Sequence, residues 1–434
     1  MARMNTPKPS DLHQLDAWQA AALLARRELD AVDLVRACLD RIAERDAQIH
    51  AFIQLNADAA LDLARQLDAG AWRGLLHGLP FGVKDLLDTH DLPTGYGSPI
   101  YAGHQPPADA AAVALCREAG AILLGKTVTT ELANLHAGAT CNPHDFNRTP
   151  GGSSSGSAAA VADCMLPLAL GTQTAGSVIR PAAFCGVVGF KPSHNRVPKA
   201  GVKALSETLD GVGCFARSVR DAALLGAVLT GDLRLASADL FTRPAAPRIG
   251  LCQTPEWGIA DSDTQQAWAH AQAVLAGHCT PLELPASLGN LVATQQEIQN
   301  FETARSLSHE RLRHSALISD ELLERLVIGL AISGETHVRN LVATAIARQQ
   351  VEALFQDHDV LLAPSTVGEA TLGLEFTGDP LFCRGWTLLG LPCVHLPFFT
   401  GQNGMPVGLQ LVGAYGDDHR LLAAAHWVHE RLTR

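Results

Sequence analysis

Three stretches of the chain hold residues whose types and spacing could do chemistry. Lys84 stands in the apolar run Phe81-Gly-Val-Lys-Asp85. Gly151-Gly-Ser153-Ser154-Ser155-Gly-Ser157 follows it. Gly171-Thr-Gln-Thr-Ala-Gly-Ser177-Val-Ile-Arg180-Pro181 then begins directly behind an apolar run at 165–170. A serine at the end of a buried strand, among small residues, can present its hydroxyl to a substrate. The same small residues let a carbonyl group approach backbone N–H donors, as stabilising an oxyanion requires. Each stretch alone also has a plain structural explanation: a flexible linker, a Lys84–Asp85 surface ion pair, a turn. A linker, however, would not lead directly into an apolar helix at 158–164 and a buried strand. Together the three favour nucleophilic chemistry.

Other motif matches fail on mechanism. Gly120-Ala-Ile-Leu-Leu-Gly125-Lys126-Thr127 fits the phosphate-loop pattern. Its variable positions read as a strand, not as a flexible loop with free N–H groups. Gly152-Ser-Ser154-Ser-Gly156 fits the nucleophile elbow, which needs a buried strand before it; 146–151 reads as loop. His309 and His314 are one residue too far apart for a metal-binding helical pair, diverging by about 140° around a helix.

The elements that must position these residues read as an α/β pattern. Apolar spacing predicts helices near 11–27, 31–45 and 56–69. Strands are expected at 79–87 and 121–124 with a helix at 108–119 between them. A glycine-, serine- and threonine-rich stretch spans 138–213, with short apolar runs at 165–170 and 187–190. Beyond it, helices are expected near 263–277, 288–315, 319–332, 335–356 and 417–432. Strands are expected near 248–252, 359–363, 393–397 and 407–412. Strands mixed with helices throughout argue layered α/β architecture. The stretch 244–247 is the best candidate for a break in the chain.

Composition narrows the class. The chain has 434 residues, 47% of them hydrophobic and 18% charged, with a net charge of -11. That is a globular composition without a Lys/Arg run, so neither nucleic acid nor an anionic membrane is an expected partner. Ten cysteines without a C-x-x-C pair suggest neither a disulfide scaffold nor a zinc knuckle. The N-terminus has basic residues but no apolar h-region behind them, and no long apolar span follows; a cytoplasmic protein is expected.

The sequence closely resembles the amidase signature family. The resemblance rests on Gly82-Val-Lys-Asp85, Arg148-Thr-Pro-Gly-Gly-Ser-Ser-Ser-Gly-Ser-Ala158, Gly171-Thr-Gln-Thr-Ala-Gly-Ser177, Pro181-Ala-Ala-Phe-Cys-Gly-Val-Val-Gly-Phe-Lys-Pro192 and Pro406-Val-Gly-Leu-Gln410. It implies a Ser–cis-Ser–Lys set: Ser177 as nucleophile, Ser153 as bridging serine after a cis peptide bond from Gly152, and Lys84 as base. It implies an oxyanion hole from the N–H groups of Thr174, Ala175, Gly176 and Ser177, with Ser154 in support. No metal or organic cofactor is implied, and a homodimer is. The implied fold is a single α/β/α domain, 1–434, around a large mixed, mostly parallel sheet of about eleven strands. Within it lie N-terminal helices (1–70), a signature core (75–220) and a C-terminal part (245–434), so 244–247 becomes an internal loop.

A lysine with an ordinary pKa near 10.4 is charged at neutral pH; burial without a counter-charge would free its lone pair. The family commonly has Asp at Gln173 and Gly at Ala175, and neither change removes a backbone donor. Arg180 stands one position later than in most relatives, a shift shared with relatives acting on malonamate-like substrates. It either forks to a substrate carboxylate or anchors its loop through carbonyls or a buried acid. The expected activity is hydrolysis of a small C–N amide, with carboxylated amides or carbamate- or urea-derived compounds as substrates. A broad aliphatic or aryl amidase or esterase is the alternative. Outside the class stands a non-catalytic or assembly-dependent subunit related to the tRNA-dependent amidotransferase. The segment 376–386 is expected to wall the pocket.

Overall fold

The computed structural model describes residues 9–134, 136–242 and 244–434. The reading of the first eight residues lies outside them. Amphipathic spacing produces α1 (Ala17–Ala25), α2 (Ala31–Ile49) and α3 (Ala57–Ala69). Helix α2 turns Leu34, Val35, Cys38 and Ile42 inward and stops at His50, whose φ of 56° is left-handed. Between α2 and α3 lies an unexpected strand, β1 (Phe52–Leu55), half-exposed at the sheet edge.

The next segment runs β2 (Pro80–Lys84), α4 (Ala111–Glu118), β3 (Ile122–Thr127), α5 (Ser155–Ala162), β4 (Leu168–Gln173) and α6 (Ile179–Cys185). Then come β5 (Val188–Lys191), β6 (Gly211–Ala216), α7 (Val219–Thr230), α8 (Asp239–Thr242), β7 (Ile249–Cys252), α9 (Ser262–Val274) and β8 (Cys279–Leu282). A helical stretch follows: α10 (Leu291–Ser306), α11 (Ser308–Arg313), α12 (Asp320–Ala331), α13 (Gly334–Glu352) and α14 (Leu354–Asp357). The chain closes with β9 (Val360–Pro364), α15 (Leu381–Leu389), β10 (Cys393–Thr400), β11 (Pro406–Gly413) and α16 (Asp418–Leu432). The expected helix over 288–315 is thus interrupted at Leu307, which leaves helical geometry.

All eleven strands form one mixed sheet in the order β1-β3-β2-β4-β6-β5-β10-β11-β9-β7-β8. It is not mostly parallel. Only β3/β2, β2/β4, β9/β7 and β7/β8 pair in parallel, on the two flanks. The centre is antiparallel from β4 through β6, β5, β10 and β11 to β9. The reason is in the connections: antiparallel neighbours need no helical crossover. A tight turn at 401–405, closed by Gly401 N–H to Met405 O, joins β10 to β11. A helix-free loop joins β5 to β6. The stretch 244–247 runs from α8 to β7, which belongs to the same sheet.

Side-chain alternation divides the core into two layers. Val360 and Leu362 of β9 and Leu409 and Leu411 of β11 join a cluster with Leu421 and Val428 of α16. Their neighbours Leu361, Ala363 and Val412 point the other way, onto Trp386 and Leu389 of α15 and Ala347 and Val351 of α13. Both faces of the sheet are therefore covered by helices. Among the described residues no helix is long and apolar enough to cross a membrane.

Candidate active site

Lys84 is the last residue of β2, in a strand buried along its whole length. Its Nζ lies 2.7 Å from Ser153 Oγ and 2.8 Å from Thr172 Oγ1. It has no carboxylate partner among the described residues; the neighbouring Asp85 pairs with Lys126 instead, at 3.4 Å. Burial is the main cause that holds the Lys84 ammonium well below its ordinary pKa. The charge of Asp210 raises it and that of Arg180 lowers it. Lys126, from the rejected phosphate-loop match, is also buried, in strand β3, and donates to Leu87 O and Thr94 Oγ1.

Ser153 is 2% exposed and follows a cis peptide bond from Gly152. Both carbonyls of that segment are held: Gly152 O accepts from Arg180 Nη2 at 2.6 Å, and Ser153 O from Thr130 N–H at 3.2 Å. Gly151 needs a φ of 80°, and a Cβ there would meet Pro181 Cα at 2.8 Å. Ser154 is fully buried. Its hydroxyl donates to Thr172 O and accepts from Thr172 N–H, both at 3.3 Å, which ties the serine loop to the residue that contacts Lys84.

Ser177 lies in the turn between β4 and α6 and is 8% exposed. Its hydroxyl makes no hydrogen bond among the described residues, so the structure joins Lys84 to Ser153 directly but not Ser153 to Ser177. The backbone around Ser177 is one-sided. Thr174 O accepts from Gln295 Nε2, Ala175 O from Thr387 Oγ1 and Gly176 O from Arg180 N–H. The N–H groups of Thr174, Ala175, Gly176 and Ser177 have no partner among the described residues. Gln173 brackets the turn: Oε1 accepts from Val178 and Ile179 N–H, and Nε2 donates to Thr387 Oγ1.

Arg180 is buried, and its fork serves the loops. Nη1 donates to Gly378 O at 2.6 Å; Nη2 donates to Gly152 O and Thr377 Oγ1. This is the carbonyl-anchoring arrangement; only Nε is enclosed without a partner. The wall expected from 376–386 does cover the site. Thr377 stands over Gly152, where a Cβ would come within 2.9 Å of it. Pro380 and Cys383 press on Gly176 in the same way. His314 leaves helical geometry at the end of α11, so the His309 and His314 rings do approach, to 5.2 Å. The expected divergence applied to an unbroken helix. No third metal-binding group joins them among the described residues.

Sequence reasoning missed Thr172, Asp210, Gln295 and Thr387. Asp210 accepts from Thr174 Oγ1 at 2.6 Å and from the N–H groups of Leu205 and Ser206. Thr172 carried a signal, being a polar residue in a fully buried strand that has to find a partner.

Residues 33–422 match the Amidase family. The chain belongs to that family. It is 34% identical over 473 residues to a glutamyl-tRNA(Gln) amidotransferase subunit of Oleidesulfovibrio alaskensis, covering 96% of this chain and 97% of that protein. Among solved structures, the peptide amidase from Stenotrophomonas maltophilia superposes with a TM-score of 0.82 at 29% identity, covering 98% of each chain. The 6-aminohexanoate cyclic dimer hydrolase does so with a TM-score of 0.84 at 26% identity, also covering 98% of each. The protein is an amidase-family hydrolase of C–N amide bonds.

Proposed function

We propose that Ser177 attacks a small amide substrate, with Ser153 and neutral Lys84 relaying the proton. The observation that carries this is the Lys84 environment: buried, bonded among the described residues to hydroxyls only, 2.7 Å from Ser153 Oγ. A neutral Nζ offers a lone pair to the Ser153 proton, and Ser153 Oγ accepts the proton of Ser177. Ser177 Oγ then bonds to the carbonyl carbon. The carbonyl oxygen, now negative, takes hydrogen bonds from the unpartnered N–H groups of residues 174–177, which need no reorganisation to receive it. As the C–N bond breaks, the proton returns from Lys84 through Ser153 to the departing nitrogen. Water repeats the cycle on the acyl-serine and releases the acid.

The substrate carries a negative charge. Arg180 bonds to carbonyl and hydroxyl oxygens and forms no ion pair among the described residues, so its charge stays available to the site although the whole chain is acidic and Asp379 and Asp210 lie nearby. Ammonia release from a panel of primary amides, some bearing a carboxylate, tests the reading. The wild type is expected to act on members of the panel and Ser177→Ala on none; equal release by the two would overturn it. The similarity to the glutamyl-tRNA(Gln) amidotransferase protein favours a second reading, in which the same serine releases ammonia for a partner protein. It predicts glutamine turnover that rises when such a partner is added.

A further inference from the structure

Three arginines close in on the loops that carry Ser153 and Ser177, and among the described residues none of them pairs with a carboxylate. Arg180 is committed to the Gly152 and Gly378 carbonyls. Arg384, on α15, is 7% exposed. Its Nη1 donates to Gln295 Oε1 at 2.6 Å and Gln299 Oε1 at 3.2 Å. Gln295 in turn donates to Thr174 O at 3.0 Å, so one amide separates Arg384 from the candidate oxyanion loop. The Nε of Arg384 is enclosed without a partner, and its Nη2 donates to nothing among the described residues.

Arg325, on α12, reaches the other loop. Its Nε donates to Asn300 Oδ1 at 2.9 Å and its Nη1 to Asn134 Oδ1 at 3.3 Å. Asn134 O accepts from Thr130 Oγ1, and Thr130 N–H donates to Ser153 O. Among the described residues every hydrogen-bond partner of the three guanidinium groups is a neutral amide, carbonyl or hydroxyl. The groups also sense one another: burial, then the charges of Arg384 and Arg180, lower the Arg325 pKa to about 10. Arg180 falls to about 10, mainly through burial, with the Arg384 charge contributing. Burial lowers Arg384 as well. The Asp379 charge opposes the shift for Arg180 and Arg384 but forms no ion pair with either among the described residues.

Buried cations without a paired counter-charge are costly unless an anion completes them. A guanidinium fork matches a carboxylate in shape as well as charge. We propose that Arg384, reinforced by Arg325, receives the carboxylate of a small amide whose scissile carbonyl lies at the N–H groups of residues 174–177. Arg180, its fork already spent on carbonyls, holds the loops and adds to the field. This assignment rests on the Ser177 reading and gives it a substrate class.

The test is made on Ser177→Ala protein, so that binding is read without turnover. Calorimetry compares succinamate with its neutral counterpart butyramide. Succinamate is expected to bind at least about tenfold more tightly. Adding Arg384→Gln should remove that preference, weakening succinamate binding by far more than it changes butyramide binding, and Arg384→Lys should restore part of it. Succinamate binding no better than butyramide, or a preference untouched by Arg384→Gln, would overturn the proposal. If Arg384→Gln does not fold, Arg325→Gln decides instead: a weakened preference supports the site, an unchanged one overturns it. Failure of the Ser177 reading shows separately, as ammonia release by the Ser177→Ala protein.

Discussion

At the scale of single residues, the proposed role of Lys84 as base makes its proton the one that sets the pH at which the site works. A base must be unprotonated, so kcat/KM rises as pH rises through the lysine's lowered pKa. The negative charge of Asp210 raises that pKa. Asp210→Asn removes it, so the acidic limb of the pH–rate profile is expected to move to lower pH. A limb that stays or moves up would show that Lys84 is not the group being titrated. Asparagine keeps one oxygen for the N–H groups of Leu205 and Ser206, so position rather than height of the limb is the readout. Lys84, Ser153 and Ser177 were singled out in the sequence by three small-residue or apolar stretches taken together, and their expected roles came from the family resemblance. Asp210 was not, because a lone acid in a loop gives no local sign of what it will face. Arg180 was legible as a choice between two roles, and only three-dimensional partners could decide its carbonyl contacts.

At the scale of elements, the turn 174–177 depends on side chains from distant helices. Thr387 of α15 accepts from Gln173 Nε2 and donates to Ala175 O. Thr387→Val strips both bonds and leaves a buried carbonyl and a buried amide unpaired. We expect a stability loss of about 1–3 kcal/mol by urea unfolding. We expect kcat to fall more than KM changes, because N–H groups in the proposed oxyanion role would act most on the transition state. Gly176→Ala is expected to be at least as harmful, since the added Cβ would come within 2.8 Å of Pro380. An active, fully stable Gly176→Ala protein would mean that α15 does not press on the turn as described.

The long amphipathic helices were legible from periodicity. Strands β1, β6 and β8 and helices α6, α7 and α15 were not, for particular reasons. Strand β6 reads Gly211-Val-Gly-Cys-Phe-Ala, where Gly213 mimics loop; a Cβ there would meet Phe190 O at 2.6 Å. Helix α6 begins beside Ser177, contains Pro181 and ends at Gly186 with a φ of 69°, too short to show a period.

At the scale of the whole molecule, one sheet ties both halves of the chain together. Strands β10, β11, β9, β7 and β8 of the second half continue directly from β5 of the first. Unfolding should therefore be a single transition, with probes on the two sides of 244–247 melting together. Two separated transitions would restore a domain boundary there. The direction of the central strands was not legible, because pattern alone does not tell a hairpin return from a crossover. Net charge was legible but averaged over the site: the acidic chain places Lys84, Arg180, Arg325 and Arg384 around its candidate loops, and among the described residues no carboxylate bonds to any of the four.

Formation of the proposed covalent intermediate on Ser177 is the step on which the other proposals depend. Peptide mapping after reaction with a fluorophosphonate probe reads it out. A single adduct on Ser177 is expected, lost in Ser177→Ala and slowed in Lys84→Met. An adduct on Ser153 or Ser154, with Ser177 unmodified, would contradict the assignment.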